Sequence, residues 1–406
     1  MSAEHQLPRV GLIGISGYGR IHRQLVLEFH RRGVLQLVAA VVINPDQERA
    51  AVAELRELGC EIFDDYESML AQLRGRLELC LIPTGIAWHA RMTVAALAAG
   101  ANVLVEKPLA SSTAEVRAVA EASRESGRFV AVGFQDYYEP SALWLKQQLE
   151  AGAIGRLRAV RFLGQWPRPR AYFARNDWAG RRVVDGVPVH DSPLSNAFAH
   201  FVNLSLWLAA RRPGDRDGAT IETAELFRAH AIENFDTAVV RVRTADDVAL
   251  WFGATHACGV TREPEIVVTG DRGQVIWRHE KEVEVQAEGA APVHRPIGDA
   301  FDARHAMMTA VLRRLHEPDT TICGPDVAGR HTALIEQLAA VGTIATVPSS
   351  MIEWRPAEPA SAAVPVVAGL EDALGRAYLS AGTLAGAGFC VHADDASVEL
   401  QARQRS

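Results

Sequence analysis

Three glycines, Gly14, Gly17 and Gly19, stand between a short apolar run at 10–15 and a segment whose apolar residues Ile21, Leu25, Val26 and Phe29 recur at helical spacing. Glycine lets a backbone turn tightly and approach a ligand, and the first turn of a helix offers unpaired N–H groups and a positive dipole end. Together these suit a pyrophosphate. The spacing is G-x-S-G-x-G, so Ser16 takes the usual middle-glycine position and Tyr18 lies between the last two glycines. Dinucleotide sites commonly place an acidic residue at the end of the second strand to hold the adenosine ribose. Here that place holds Asn44. An amide can bond a ribose hydroxyl but does not repel a 2′-phosphate, so NAD and NADP both remain open. Asn44-Pro45-Asp46 also serves simply as a strand-ending turn.

A second group of candidates lies further along. Trp166, Arg168, Arg170, Tyr172, Arg175, Asp177 and Trp178 crowd into one polar stretch. Aromatic rings and guanidinium groups suit stacking on a sugar and recognition of hydroxyls or carboxylates, and suit a subunit contact equally well. Trp178 is therefore a substrate candidate. His190-Asp191-Ser192-Pro193 can cap a helix through Asp191 or Ser192, and Asp191 can also line a substrate site. His256 and Cys258 are two apart, too little for a metal centre, and no metal is predicted. The cysteines, Cys60, Cys80, Cys258, Cys323 and Cys390, never form C-x-x-C, which points to reduced thiols in a cytoplasmic protein.

These groups need elements to hold them. Apolar runs at 10–15, 35–43, 77–82, 102–105 and 129–132 alternate with helical patterns, which predicts a doubly wound parallel sheet, the Rossmann arrangement. After Gly133 the pattern changes to a helix at 140–151, a strand at 157–165, a long loop at 167–186 and a helix at 193–210. Strand-like runs at 223–227, 237–243, 248–255, 265–269, 274–278 and 283–286 predict an antiparallel or mixed sheet. Helices are expected at 301–316, 325–341 and 366–378, with the last ten residues disordered. The chain has 406 residues, enough for two or three domains. Its net charge of −7, without a basic run, argues against nucleic acid and an anionic membrane as partners. No apolar run approaches the roughly 18 residues of a membrane span. The polar N-terminus, which includes His5, lacks a secretory signal's apolar stretch.

The segment Pro83-Thr84, His89 and Ala98 through Glu106-Lys107-Pro108-Leu109 resembles the glucose–fructose oxidoreductase / inositol dehydrogenase / MocA family. So do Gly19-x-x-His22, Gly133-Phe134-Gln135 with Tyr138-x-Pro140, and Val268-Thr269-Gly270-Asp271-Arg272-Gly273. The likeness covers most of residues 8–345 and is most specific in the first 140. It implies a Rossmann domain over 1–134 and a substrate and oligomerisation domain over 135–347 with an open mixed sheet. The extension at 348–406 remains unassigned. It also implies hydride transfer between NAD or NADP and a sugar, polyol or related carbonyl compound, in a homodimer or homotetramer.

On that resemblance Pro83, Thr84, His89, Glu106, Lys107 and Gln135 join the glycine loop as cofactor residues. Lys107 would steady a developing oxyanion, and Tyr138 would face the substrate. The family's D-x-x-x-H pattern falls on Asn196 to His200, with His200 as general acid/base and Asn196 as its orienter on one helix face. The Asn at 196 and the Asn203 that follows depart from the family's Asp. Two other functions are compatible: a redox-neutral sugar hydrolase or lyase with tightly bound NAD, and a non-catalytic dinucleotide sensor.

Overall fold

The structure is a computed structural model that describes residues 7–210, 218–357 and 362–391. His5 and the last ten residues lie outside them. The chain divides into two compact units: Met1–Leu143 with Gly298–Ala333, and Trp144–Ile297 with Leu334–Ser406.

The first unit is built on six parallel strands, β1 (Arg9–Ile13), β2 (Gln36–Val41), β3 (Glu61–Phe63), β4 (Leu79–Ile82), β5 (Asn102–Val105) and β6 (Val130–Val132), in the order β3-β2-β1-β4-β5-β6. Five helices connect them: α1 (Gly19–Arg31), α2 (Arg49–Glu57), α3 (Tyr66–Gln72), α4 (Ile86–Ala98) and α5 (Thr113–Ser126). Every residue of β4 and β5 is buried, as central strands covered on both faces must be. The strand order reverses between β1 and β4, the position where such sheets open a crevice at their carboxyl edge. The sequence revealed five of the six strands. β3 is three residues long, too short for any periodicity to show.

The helix Ala300–Arg314 belongs to this first unit, where the sequence placed it in the second. Its Asp299 cap and Asp302 bond reciprocally. His305 Nε2 lies 2.8 Å from Glu28 Oε2 on α1, and its ring packs 5.6 Å from that of Phe29.

The second unit carries a nine-stranded mixed sheet. Leu157–Gln165 lies at its centre, parallel to Ala249–Thr255 and antiparallel to Arg262–Gly270. Beyond the latter come Gly273–Arg278, Glu282–Ala287 and Val293–Pro296. On the other side come Thr237–Thr244, Ala219–Arg228 and the short Ile344–Thr346. The two short edge strands were not legible in the sequence. The expected loop at 167–186 holds one helical turn, Arg170–Phe173, and a small hairpin, Val183–Val184 with Val187–Pro188.

The chain beyond Pro348 is integral to this unit. Ile352–Ala357 and Ala362–Val367 form a hairpin, and the helix Leu370–Ser380 follows. Helix formation was expected from 366, but Val366 and Val367 pair in the hairpin, and Gly369 turns the chain at φ +73°. The helix buries Leu370, Ala373, Leu374, Ala377 and Tyr378 with Leu163, Val239, Trp251 and Val267 of the sheet. Trp251 Nε1 donates to Gly382 O (2.8 Å), and Arg161 Nη1 donates to the carbonyls of Tyr378 and Leu379 (2.9 Å each).

Leu374 is fully buried in this cluster. Leu374→Ala is expected to cost about 2–5 kcal/mol of the second unit's stability, measured by urea unfolding. An unchanged midpoint would mean that the tail helix adds nothing to the core.

Candidate functional site

The glycine loop leaves β1 with Gly14 at φ +93° and Gly17 at φ +55°, conformations that side chains resist. A Cβ on Gly19 would meet Gly14 O at 2.6 Å. α1 begins there with Tyr18 as its cap residue, no side-chain cap bond and no acidic residue in its first turn. The Gly19, Arg20 and Ile21 N–H groups bond the carbonyls of Ser16, Gly17 and Tyr18 (2.9, 3.3 and 3.0 Å), so what this end of α1 offers at the carboxyl edge of the sheet is its positive dipole and the close approach that the glycines allow, which fits a pyrophosphate. Pro83 and Thr84, directly after β4, lie against this loop, 3.6 and 3.5 Å from the points where Gly19 and Gly14 would carry a Cβ. Ser16 Oγ donates to Asn44 Oδ1 (3.3 Å), and Asn44 Nδ2 donates to Gln47 Oε1 (3.1 Å). The ends of β1 and β2 are thus joined at the corner expected to hold the adenosine ribose.

Behind the loop lies a buried histidine–carboxylate contact. His22 Nε2, one turn into α1, is 2.7 Å from Glu106 Oε1 at the end of β5, with side chains 2% and 6% exposed. Glu106 Oε2 accepts the Lys107 backbone N–H at 3.1 Å. A Cβ on Gly133 would stand 2.7 Å from Glu106 Oε1, so only glycine leaves room for the carboxylate. Burial pushes the Glu106 carboxyl up, but the His22 bond and charge, with those of Lys107, outweigh it and hold it below the usual value of 4.5. Lys107, half-buried, leads into a cis peptide bond to Pro108.

Two residues expected at the cofactor brace this edge. His89 on α4 is buried, with Nδ1 2.6 Å from Pro108 O and Nε2 2.9 Å from Thr84 O. It clamps the loop after β4 to the loop after β5. Glu106 works from inside, as described. Tyr138, expected at the substrate, is also buried. Its hydroxyl donates to Val132 O (3.2 Å) and accepts from the Cys323 N–H (3.1 Å), which spends it on the frame. Gln135 follows β6 in a short 3-10 turn, and its buried Oε1 has no hydrogen-bond partner among the described residues. His22 entered the sequence reading only through the Gly19-x-x-His22 motif, and its place three residues after the last glycine was the available signal for this role.

In the second unit Ser192, rather than Asp191, is the helix cap, in a reciprocal capping box with Ser195. The expected helix at 193–210 is not continuous. Pro193–Ala197 forms a π turn, with Phe198 N–H bonded to Pro193 O (2.8 Å), and the α-helix Ala199–Ala209 starts afterwards. Asn196 and His200 therefore sit on different elements, and the i, i+4 face assumed for them is interrupted. Asn196 Nδ2 donates to Asp191 Oδ1 (2.9 Å), and Asp191 Oδ2 accepts the Gly180 N–H (2.6 Å). His200 is half-buried.

The aromatic-rich loop packs largely on itself. Arg175 lies over Tyr172 (3.7 Å) and Trp178 (5.1 Å), and Arg168 over Tyr172 (4.8 Å). His256 stacks on Phe198, with ring centroids 5.5 Å apart, and its Nδ1–H donates to Trp166 O (2.8 Å). Burial, followed by the Arg168 charge, pushes its pKa down to about 3. Cys258 is buried. Among the described residues Glu282, Glu284 and His294 are grouped closely enough to hold a cation, but Arg278 already pairs both carboxylates (2.9 and 3.1 Å).

The model of an oxidoreductase family with an NAD-binding Rossmann fold matches residues 9–134, and that of the GFO/IDH/MocA C-terminal domain matches 143–276. The inositol 2-dehydrogenase of Rubrobacter xylanophilus is 34% identical over 278 residues, 68% of this chain and 72% of that protein. The inositol 2-dehydrogenase of Klebsiella pneumoniae (strain 342) is 34% identical over 204 residues, 49% of this chain. This chain spans only 54% of that relative's length. The fold is shared with the WlbA dehydrogenase from Bordetella pertussis, solved with NADH and UDP-GlcNAcA. That likeness has a TM-score of 0.64 and 21% identity, over 82% of this chain and 96% of that one.

Removing the buried carboxylate leaves His22 Nε2 and the Lys107 N–H without their acceptor, so Glu106→Ala is expected to destabilise the first unit by about 1–3 kcal/mol at neutral pH. Because the folded carboxyl lies below 4.5, this contribution is present above that pH and lost as pH falls below it. Urea unfolding of both proteins across pH 3–7 checks this, and a gap that did not narrow in acid would contradict it. His256 makes a second pH-dependent contribution. It takes a proton near 6.5 when unfolded but only near 3 when folded, so stability present above pH 6.5 drains away as pH falls toward 3. His256→Asn keeps a donor for Trp166 O and should flatten that slope; an identical slope would assign it to another group.

Proposed function

Because this chain belongs to the GFO/IDH/MocA family of oxidoreductases, we propose that it transfers hydride between a nicotinamide dinucleotide and a secondary alcohol or ketone of a sugar or polyol. One observation carries the reading. The start of α1, which has no side-chain cap, stands behind Gly14 and Gly17 at the same sheet edge as Lys107, which the buried His22–Glu106 contact sets in place. That edge combines an anion cradle with an ammonium group.

The nicotinamide ring, when bound, accepts or returns the hydride. The chain's own groups do the rest. Lys107 offers its ammonium to the substrate oxygen and steadies the charge that grows there. Gln135, with a buried and unspent amide oxygen, is suited to a carboxamide donor. His200 takes or gives the hydroxyl proton. Asp191 offers the carboxylate that position 196 lacks, and Asn196 holds it by a direct bond. Trp178 contributes an aromatic face beside Arg175.

The two curated relatives described above are inositol dehydrogenases, so cyclic polyols head the substrate classes to screen. Among the described residues no helix is long and apolar enough to cross a membrane. We place the enzyme in the cytoplasm as a homodimer or homotetramer, assembled through surfaces other than the sheet face that its tail covers.

Lys107→Ala and His200→Ala are each expected to lower turnover at least ~100-fold on a polyol substrate, followed by nicotinamide absorbance. Near-normal turnover in either variant removes that residue from the reaction. Steady accumulation of reduced cofactor is expected during polyol oxidation. Product formation without it would point to the redox-neutral reading.

A further inference from the structure

The corner between β1 and β2 carries a feature that pyrophosphate binding does not use. A carboxylate at the end of β2 would serve NAD in two ways, by accepting the ribose hydroxyls and by repelling a dianionic group at the 2′ position. Asn44 does not repel, and both ends of its amide are held, by Ser16 and Gln47. Asp46 turns its charge outward, to Arg49 at 3.1 Å, with both side chains largely exposed.

Arg23 stands at this corner. It lies on α1 one turn beyond Gly19, with its side chain 14% exposed. The nearest carboxylate is Glu48 Oε2, 3.9 Å from Nη1, beyond hydrogen-bonding distance. Arg23 Nε and Nη1 are buried, and among the described residues neither has a hydrogen-bond partner. Glu48 N–H in turn bonds Asn44 O at 3.3 Å, so Arg23, Glu48 and Asn44 occupy one corner. Folded proteins seldom leave buried guanidinium donors unused. A delocalised cation whose donors are unspent is a fitting partner for a phosphate monoester. The first turn of α1 already provides for the pyrophosphate, so the anion left for Arg23 is a phosphate on the adenosine ribose.

We propose that Arg23, with Ser16 and Asn44, forms a 2′-phosphate subsite, and that this chain takes NADP(H) in preference to NAD(H). Glu48 holds the guanidinium in place at long range without consuming its donors. The inference rests on the dinucleotide reading above and narrows it.

The test is isothermal titration of the full chain with 5′-AMP and with 2′,5′-ADP, which differ only in the phosphate. The wild type should bind 2′,5′-ADP at least ~10-fold more tightly, as expected of a charge-assisted guanidinium–phosphate contact. Arg23→Gln should bring the ratio near one and leave the 5′-AMP affinity within about twofold. Asn44→Asp should reverse the preference, and it decides the matter if Arg23→Gln fails to fold. Equal affinities in the wild type would overturn the proposal. So would an Arg23→Gln protein that weakens both ligands alike, since that would make Arg23 merely a structural partner of Glu48. Binding of neither nucleotide would overturn the dinucleotide reading itself, an outcome distinct from equal binding of both.

Discussion

The carboxyl edge of the parallel sheet is organised around the buried contact between His22 and Glu106. A carboxylate that is 6% exposed is tolerated only because a partner and a backbone donor satisfy it. That requirement ties α1, and with it the glycine loop, to the end of β5. It excludes any side chain from position 133. It also sets the backbone from which Lys107 projects. His89 adds a second tie by joining the loops that follow β4 and β5. A glycine loop and a cationic side chain could each arise on many folds. Here two buried polar contacts hold them in a common frame.

The second unit follows a different logic. Its sheet is apolar on both faces and needs two covers. One face packs Phe162 against Phe198 and Phe201, which bracket the start of the His200 helix. The tail helix closes the opposite face, and polar contacts such as Trp251 to Gly382 fix its register. The reactive candidates Asp191, Asn196 and His200 lie where a π turn passes into an α-helix. That irregularity moves Asn196 out of helical phase with His200 and gives its amide to Asp191.

Much of this was legible in the sequence, because burial writes simple patterns. Fully buried strands read as continuous apolar runs, and β1, β2, β4, β5 and β6 were all found that way. Glycines at strand ends marked the loop. The failures also have physical causes. β3 is short and partly exposed and Val293–Pro296 is short and exposed throughout, so they leave no pattern. The π turn obeys Ser192, Pro193 and long-range packing, none of which disturbs a run that still looks helical. Val366 and Val367 suit a helix cover or a strand equally, and the pairing with Ile352 and Glu353 decided for the strand.

By itself, the sequence determined the parallel α/β class of the first unit, the glycine loop between its first strand and helix, the candidacy of Lys107 and the absence of a carboxylate at position 44. Each of these depends on residue type and local spacing. Only the tertiary structure decided what His22, His89, Glu106 and Tyr138 do, because a polar side chain's role depends on which partner folding brings to it. Partners 84 and 185 residues away, as for His22 with Glu106 and Tyr138 with Cys323, leave no trace in local spacing. The same holds for Arg23. Its significance lies in the acceptors it lacks, and only a folded chain can show that.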